Sequence, residues 1–151
     1  MGYHAHDAYL ETRILSADPV ELVRLLHQAG MTAVRDARRH LSAGDIAGRS
    51  RAISKASAVL LELVQSLDHQ RGGEIADRLG RLYDYMLRRL TEANFQQADA
   101  PLGEVLSLMA TLAEAWDEIR KEPEPAPKVE SPWAQPVPEA AGASVEHAWS
   151  F

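Results

Sequence analysis

An all-α fold, an antiparallel up-and-down four-helix bundle, is what the sequence predicts, and three observations carry the prediction. Strong helix formers (Ala, Leu, Arg and Glu) dominate most of the chain, aromatics are only 6%, and no stretch alternates with a strand's period. Apolar residues recur at spacings of three and four over four long segments. The connections between these segments are short, which makes sequence neighbours antiparallel. A chain of 151 residues is one domain's worth, and 46% hydrophobic with 25% charged residues is close to a globular average.

The first helix is announced by Asp18 as N-cap, Pro19 at the first helical position and Glu21 three residues after the cap. Leu22, Leu26, Ala29, Ala33 and Ala37 then make one narrow, small-residue face, running to Leu41 with Gly44 as the stop. Asp45 caps the second helix, where Ile46, Ile53, Leu60 and Leu67 repeat every seven residues with Ala56 and Leu63 between them, a coiled-coil-like seam. Asp68 to Gly73 interrupts it. The third helix carries Ile75, Leu79, Leu82, Met86, Leu90 and Ala93 on one side and is expected to close at Asn94. The fourth opens near Asp99 and Pro101 and carries Leu102, Val105, Met109, Leu112, Trp116 and Ile119.

Three regions are expected: an N-terminal cap segment over 1–17, the bundle over 18–121 and a Pro-rich tail over 122–151. The tail holds six of the eight prolines, no Leu or Ile, and five acids against one lysine, so it carries -4 of the net charge of -6. Such a composition buries too little to offset chain entropy, and the segment reads as a disordered tail. Its Trp133 and Trp149 admit a second reading as short docking motifs, although a plain extended linker is favoured.

Most chemistry is excluded early. With Lys plus Arg 16 against Asp plus Glu 22, no basic field for nucleic acid exists. The absence of cysteine removes disulfides, thiolate metal sites and cysteine nucleophiles. No apolar run approaches the roughly 20 residues of a membrane span, and the N-terminus has no apolar signal stretch, so no membrane insertion and a cytoplasmic location are expected. A Met-Gly start invites myristoylation, but His6 stands where that motif wants Ser or Thr. No phosphate loop, nucleophile elbow, His-Glu-x-x-His or Glu-x-x-His spacing occurs, so no catalytic residue, metal or cofactor is expected and the chain does not read as an enzyme. The arginines Arg71, Arg78, Arg81, Arg88 and Arg89 read as a solvated face partly paired with Asp77, Asp84 and Glu92. His27 alone keeps open a histidine phosphotransfer bundle, which would need it exposed; a structural histidine is the favoured reading.

More apolar residues are present than one core stripe needs. Val59 and Leu61 flank the Leu60 seam, Leu87 lies about 100° from Met86, Tyr83 and Tyr85 straddle the third seam, and Leu108 and Ala110 do the same on the fourth. Together they suggest a second apolar groove. Upstream, Tyr9, Leu10, Ile14 and Leu15 form a segment too short for an independent helix yet strongly apolar, suited to lie across that groove. The candidate partner-binding residues are therefore Tyr9, Leu10, Ile14, Leu15, Ile53, Val59, Leu61, Tyr83 and Leu87. A structural protein that self-associates through the same groove is the competing reading.

Residues Tyr83-Asp-Tyr-Met-Leu-Arg-Arg-Leu-Thr-Glu-Ala-Asn94 resemble the signature helix of the flagellin export chaperone family, FliS. Tyr9 followed by Ser16-Ala-Asp-Pro-Val-Glu-Leu22, with Ala52-Ile-Ser-Lys55 and Ala115-Trp116, is similar to the same family's frame, so the resemblance covers Tyr9 to about Lys121. It implies a small helical bundle in the cytoplasm that binds the disordered C-terminal region of flagellin, prevents premature polymerisation and presents the subunit for flagellar type III export, with an export-gate component as a further partner. No cofactor is expected, and the free chain is expected to be a monomer or weak homodimer. The client would lay amphipathic helices in the groove, with the N-terminal segment as a displaceable cap.

Overall fold

The structure, a computed structural model, describes residues 18–121; the cap segment and the tail lie outside the described residues. The two expected N-caps, Asp18 and Asp45, act as caps, and Asp68, expected only to end the second helix, caps the third as well. Asp18 accepts from the Glu21 amide at 2.8 Å, Asp45 from the Gly48 amide at 2.9 Å, and Asp68 from the amides of Gln70 and Arg71. These oxygens satisfy amides that a first turn leaves without partners. Four helices result: α1 (Pro19–Ser42), α2 (Ile46–Gln65), α3 (His69–Gln96) and α4 (Asp99–Lys121), with no strand among the described residues. After α1, Gly44 takes φ 71°, a backbone that favours glycine and turns the chain into α2.

The helices pack in a ring, α1 on α2 and α4, α3 on α2 and α4. Contacts between neighbours run in opposite senses. Gly30 faces Val59 on α2 and Met109 on α4, while Arg38, eight residues on, reaches back to Asp99 at the start of α4. Arg49 in the second turn of α2 meets Asn94 near the end of α3. This is the antiparallel up-and-down arrangement that the short connections require.

Two boundaries differ from the sequence expectation. Asn94 does not end α3, because its side chain is engaged elsewhere: Oδ1 accepts from Arg49 Nε at 3.1 Å and from Ser50 Oγ at 3.3 Å. The helix continues to Gln96 and stops on Gln97, which adopts the left-handed φ of 52°. At its other end α3 is broken at Gly73 (φ 51°, ψ -126°), so residues 69–72 form a single turn before the long helix. His69 Nδ1 bridges that break to Asp77 Oδ1 at 2.8 Å.

The core is built from Val23, Val34, Leu60, Leu63, Met86, Leu90, Leu102, Val105 and Met109, with Trp116 at one end of the bundle. On α1 the inward face is Val23, His27, Gly30, Ala33, Val34 and Ala37, whereas Leu22, Leu26 and Ala29 are half-exposed. The face is turned by about one residue from the aliphatic stripe, because a histidine with satisfied nitrogens and a glycine both occupy core positions. Gly30 does so by close approach: a Cβ there would run into the Met109 side chain and lie 3.3 Å from Val59 Cγ1. Ile46, expected at the head of the α2 seam, is 60% exposed in the first turn, and the buried seam starts later.

Candidate functional site

Along the outer side of α2 and α3 runs an apolar groove. Ile53, Ser54, Ser57, Ala58 and Leu61 of α2 and Thr91, Asn94 and Phe95 of α3 line about 550 Å³ of it. The α2 residues recur at three and four, so they share one flank of the helix, beside the buried stripe of Ala56, Leu60 and Leu63. The short side chains of Ser54, Ser57 and Ala58 leave the α2 backbone near the surface, while Leu61 (48% exposed) and Phe95 (88% exposed) present large apolar groups to solvent. A second depression of about 390 Å³, lined by Val64, His69, Asp77, Gly80, Arg81 and Asp84, continues the groove toward the start of α3. Leu87, half-buried against the core, is three residues after Asp84 and four before Thr91, which puts it on the edge joining the two parts.

Polar side chains tie the other seams. Arg38 donates to both carboxylate oxygens of Asp99 at 2.8 and 2.9 Å, linking α1 to α4. Arg89 Nε donates to Glu104 at 3.1 Å and the Tyr85 hydroxyl donates to the same carboxylate, linking α3 to α4. Those hydrogen bonds hold Glu104 below the ordinary carboxylate pKa and push Tyr85 above the ordinary phenol value. His40 and Asp45 pair at 3.0 Å between the end of α1 and the start of α2. No ion pair among the described residues joins α2 to α3 across the groove; the His69–Asp77 pair in its second part lies within α3.

The candidate residues do not all converge there. Ile53 and Leu61 line the groove and Leu87 edges it. Val59 is on the opposite flank of α2, facing Gly30 of α1, and Tyr83 is wholly buried. The heptad pattern marks both as flanking or straddling a seam, but the flank of Val59 is covered by α1 and the Tyr83 ring points across the bundle. Tyr9, Leu10, Ile14 and Leu15 lie outside the described residues. Phe95, the most exposed large apolar residue among those described, escaped the sequence reading because it follows Asn94, where the helix was expected to close; extending the helical period by one residue would have projected it onto the groove.

Tyr83 and His27 form a buried pair across the diagonal of the bundle. His27 Nδ1–H donates to the Val23 carbonyl at 2.9 Å, which sets the tautomer and leaves Nε2 to accept from the Tyr83 hydroxyl at 3.2 Å. Burial pushes the imidazole below its ordinary pKa and the phenol above its own. With no exposed surface and both ring nitrogens engaged, His27 cannot take up a phosphoryl group, and the phosphotransfer reading is overturned. The neutral ring also carries a pH dependence. Below the ordinary imidazole pKa of about 6.5 the unfolded chain binds a proton that the folded chain does not, so stability is lost as pH falls, at up to about 1.4 kcal/mol per pH unit. Urea unfolding of the wild type and of His27→Asn between pH 7 and pH 5 checks this: the variant starts less stable and should show the shallower decline.

Among the described residues no cluster of metal-binding side chains occurs, and no helix is long and apolar enough to cross a membrane. Comparison with known proteins gives a consistent result. The family model described as Flagellar protein FliS matches residues 2–123. The chain is 39% identical over 111 residues to the flagellar secretion chaperone FliS of Salmonella typhimurium, covering 73% of this chain and 82% of that protein. It is 36% identical over 110 residues to the flagellar secretion chaperone FliSB of Pseudomonas aeruginosa (73% and 87% covered), and 29% identical over 111 residues to FliS of Bacillus subtilis (74% and 82%). These relatives are named as chaperones, not as enzymes. A four-helix bundle with no catalytic constellation among its described residues, matched over 2–123, places the chain in the FliS family of flagellar proteins.

Proposed function

We propose that this chain is a cytoplasmic export chaperone that binds the disordered C-terminal region of flagellin in the α2–α3 groove, holds it from premature polymerisation and delivers it to the flagellar export gate. The observation that carries the reading is an apolar groove wall on a member of this family, in which Leu61 and Phe95 stand exposed beside the buried Ile53. A client segment folding into an amphipathic helix would set its apolar side on the short Ser54, Ser57 and Ala58 floor between those larger groups. Burying about 400 Å² of apolar surface contributes on the order of 10 kcal/mol before the costs of ordering the client are subtracted. The remainder supports a complex that holds the client yet releases it. Tyr9, Leu10, Ile14 and Leu15 shield part of the groove in the free chain, which stays a monomer or a weak homodimer.

Titration of the full chain with a peptide of the flagellin C-terminal region tests the proposal. Saturable binding with a negative heat-capacity change and a gain of helical circular dichroism is expected. No binding at about 100 μM peptide would reject it. In the same samples, amide exchange over 9–15 is expected to change on client addition; equal protection with and without peptide removes the displaceable cap.

A further inference from the structure

The two parts of the groove differ in charge. By helical spacing Arg51 and Lys55 lie three residues before Ser54 and Ala58, and Arg88 three before Thr91, so three exposed cations border the part around Ile53 and Phe95 against one acid, Glu62, four residues after Ala58. The part near Val64 and Gly80 is bordered instead by Asp77 and Asp84, with Arg81 the only cation in its lining. The first part therefore suits an apolar, preferably aromatic, group carried on an acidic segment. Such a segment exists in this chain. Residues 122–151 hold five acids against one lysine and both tryptophans outside the bundle, each with a glutamate three residues before it: Glu130-Ser-Pro-Trp133 and Glu146-His-Ala-Trp149.

The length of chain is sufficient. In the antiparallel ring the end of α4 and the start of α3 lie at the same end of the bundle, one helix width from the groove. From Gly73 to Phe95 is 22 residues of helix, about 33 Å at about 1.5 Å per residue. Trp133 follows Lys121 by 12 residues, which in a Pro-rich extended run at about 3.1 Å per residue reach about 37 Å, and Trp149 has more chain to spare.

We propose that the part of the groove around Ile53, Leu61 and Phe95, bordered by Arg51, Lys55 and Arg88, is a docking site for this chain's own tail, which seats one of its two Glu-x-x-Trp segments there. The indole packs on Phe95 and Leu61, and the tail's acids face the rim cations, each exposed pair contributing little alone but all acting in one direction. Docking of the tail does not depend on the identity of the client. Its consequence does rest on the groove reading above: tail and client compete, and the occupied fraction lowers apparent client affinity.

The indole N–H resonances of the ¹⁵N-labelled full chain provide the test. Trp116, buried in the core, reports on the fold, while Trp133 and Trp149, assigned by single Trp→Phe variants, report on docking. In the wild type without client, at least one tail indole should shift on substitution of Phe95→Asp and likewise in Arg51→Glu/Lys55→Glu/Arg88→Glu, with the Trp116 signal in place. The triple variant alters only exposed side chains, so it decides the matter if Phe95→Asp disturbs Trp116. Tail indoles that are the same in wild type and triple variant overturn the proposal, as does a shift that grows with protein concentration, which would make a second copy the occupant. Adding the flagellin peptide should return the tail indoles to their undocked positions, and Trp133→Ala/Trp149→Ala should tighten client binding about 3- to 10-fold. A docked tail that the peptide does not release would keep the tail site and place the client elsewhere.

Discussion

Tyr83→Ala is expected to cost about 4 kcal/mol of unfolding free energy, the largest single effect in the bundle. The whole ring is buried, and truncating a buried aromatic residue costs about 3–5 kcal/mol from lost transfer energy and the cavity left behind. Its hydroxyl is also the partner of His27 Nε2 on the helix diagonally opposite. Tyr83→Phe separates the two contributions: it keeps the ring and leaves the His27 nitrogen bare in a dry site, at about 1–3 kcal/mol. Urea unfolding of both variants at pH 7 measures the difference. A loss under about 1 kcal/mol for Tyr83→Ala would mean that the ring does not fill the core. This expectation reverses the sequence reading of Tyr83 as a residue that meets the partner.

The second large effect concerns binding. Leu61→Asp/Phe95→Asp should weaken the flagellin peptide about 100-fold or more, about 2.7 kcal/mol, while changing stability by no more than about 1 kcal/mol. Both side chains stand substantially in solvent, so a carboxylate at either position costs the fold little, yet each must lose its water when an apolar helix closes over it. Leu87→Asp behaves differently, since Leu87 packs against the core as well as edging the groove, and stability falls along with affinity. Calorimetric titration paired with thermal melting of each variant reads the two quantities apart. Unchanged affinity in the double variant would move the client off the α2–α3 face. The same measurement on Val59→Ala, whose side chain faces α1, should show a stability loss without a change in affinity.

Much of this molecule was legible in its sequence because caps and periodicity are local properties. Asp18 and Asp45 each bond an amide in the turn that follows them, and a three-and-four spacing puts side chains on one side of a helix whatever surrounds it. Four helices, short connections and their antiparallel order follow from those features alone, and so does the presence of apolar surface in excess of one core.

Which surface remains open was decided only by tertiary structure. Val59 and Leu61 are equivalent flanks of one seam in the sequence; the approach of α1 at Gly30 covers the first, and the second lines the open groove between α2 and α3 and stays in solvent. Tyr83 and Tyr85 straddle another seam, and the buried nitrogen of His27 on a helix distant in sequence draws one inward while Glu104 of α4 holds the other at the surface. Arg49 takes the side chain of Asn94 across the bundle, α3 runs on to Gln96, and Phe95 is thereby carried onto the groove. A helical period defines directions about one axis, but burial depends on where the neighbouring axes lie, and that is set by close packing of all four helices together.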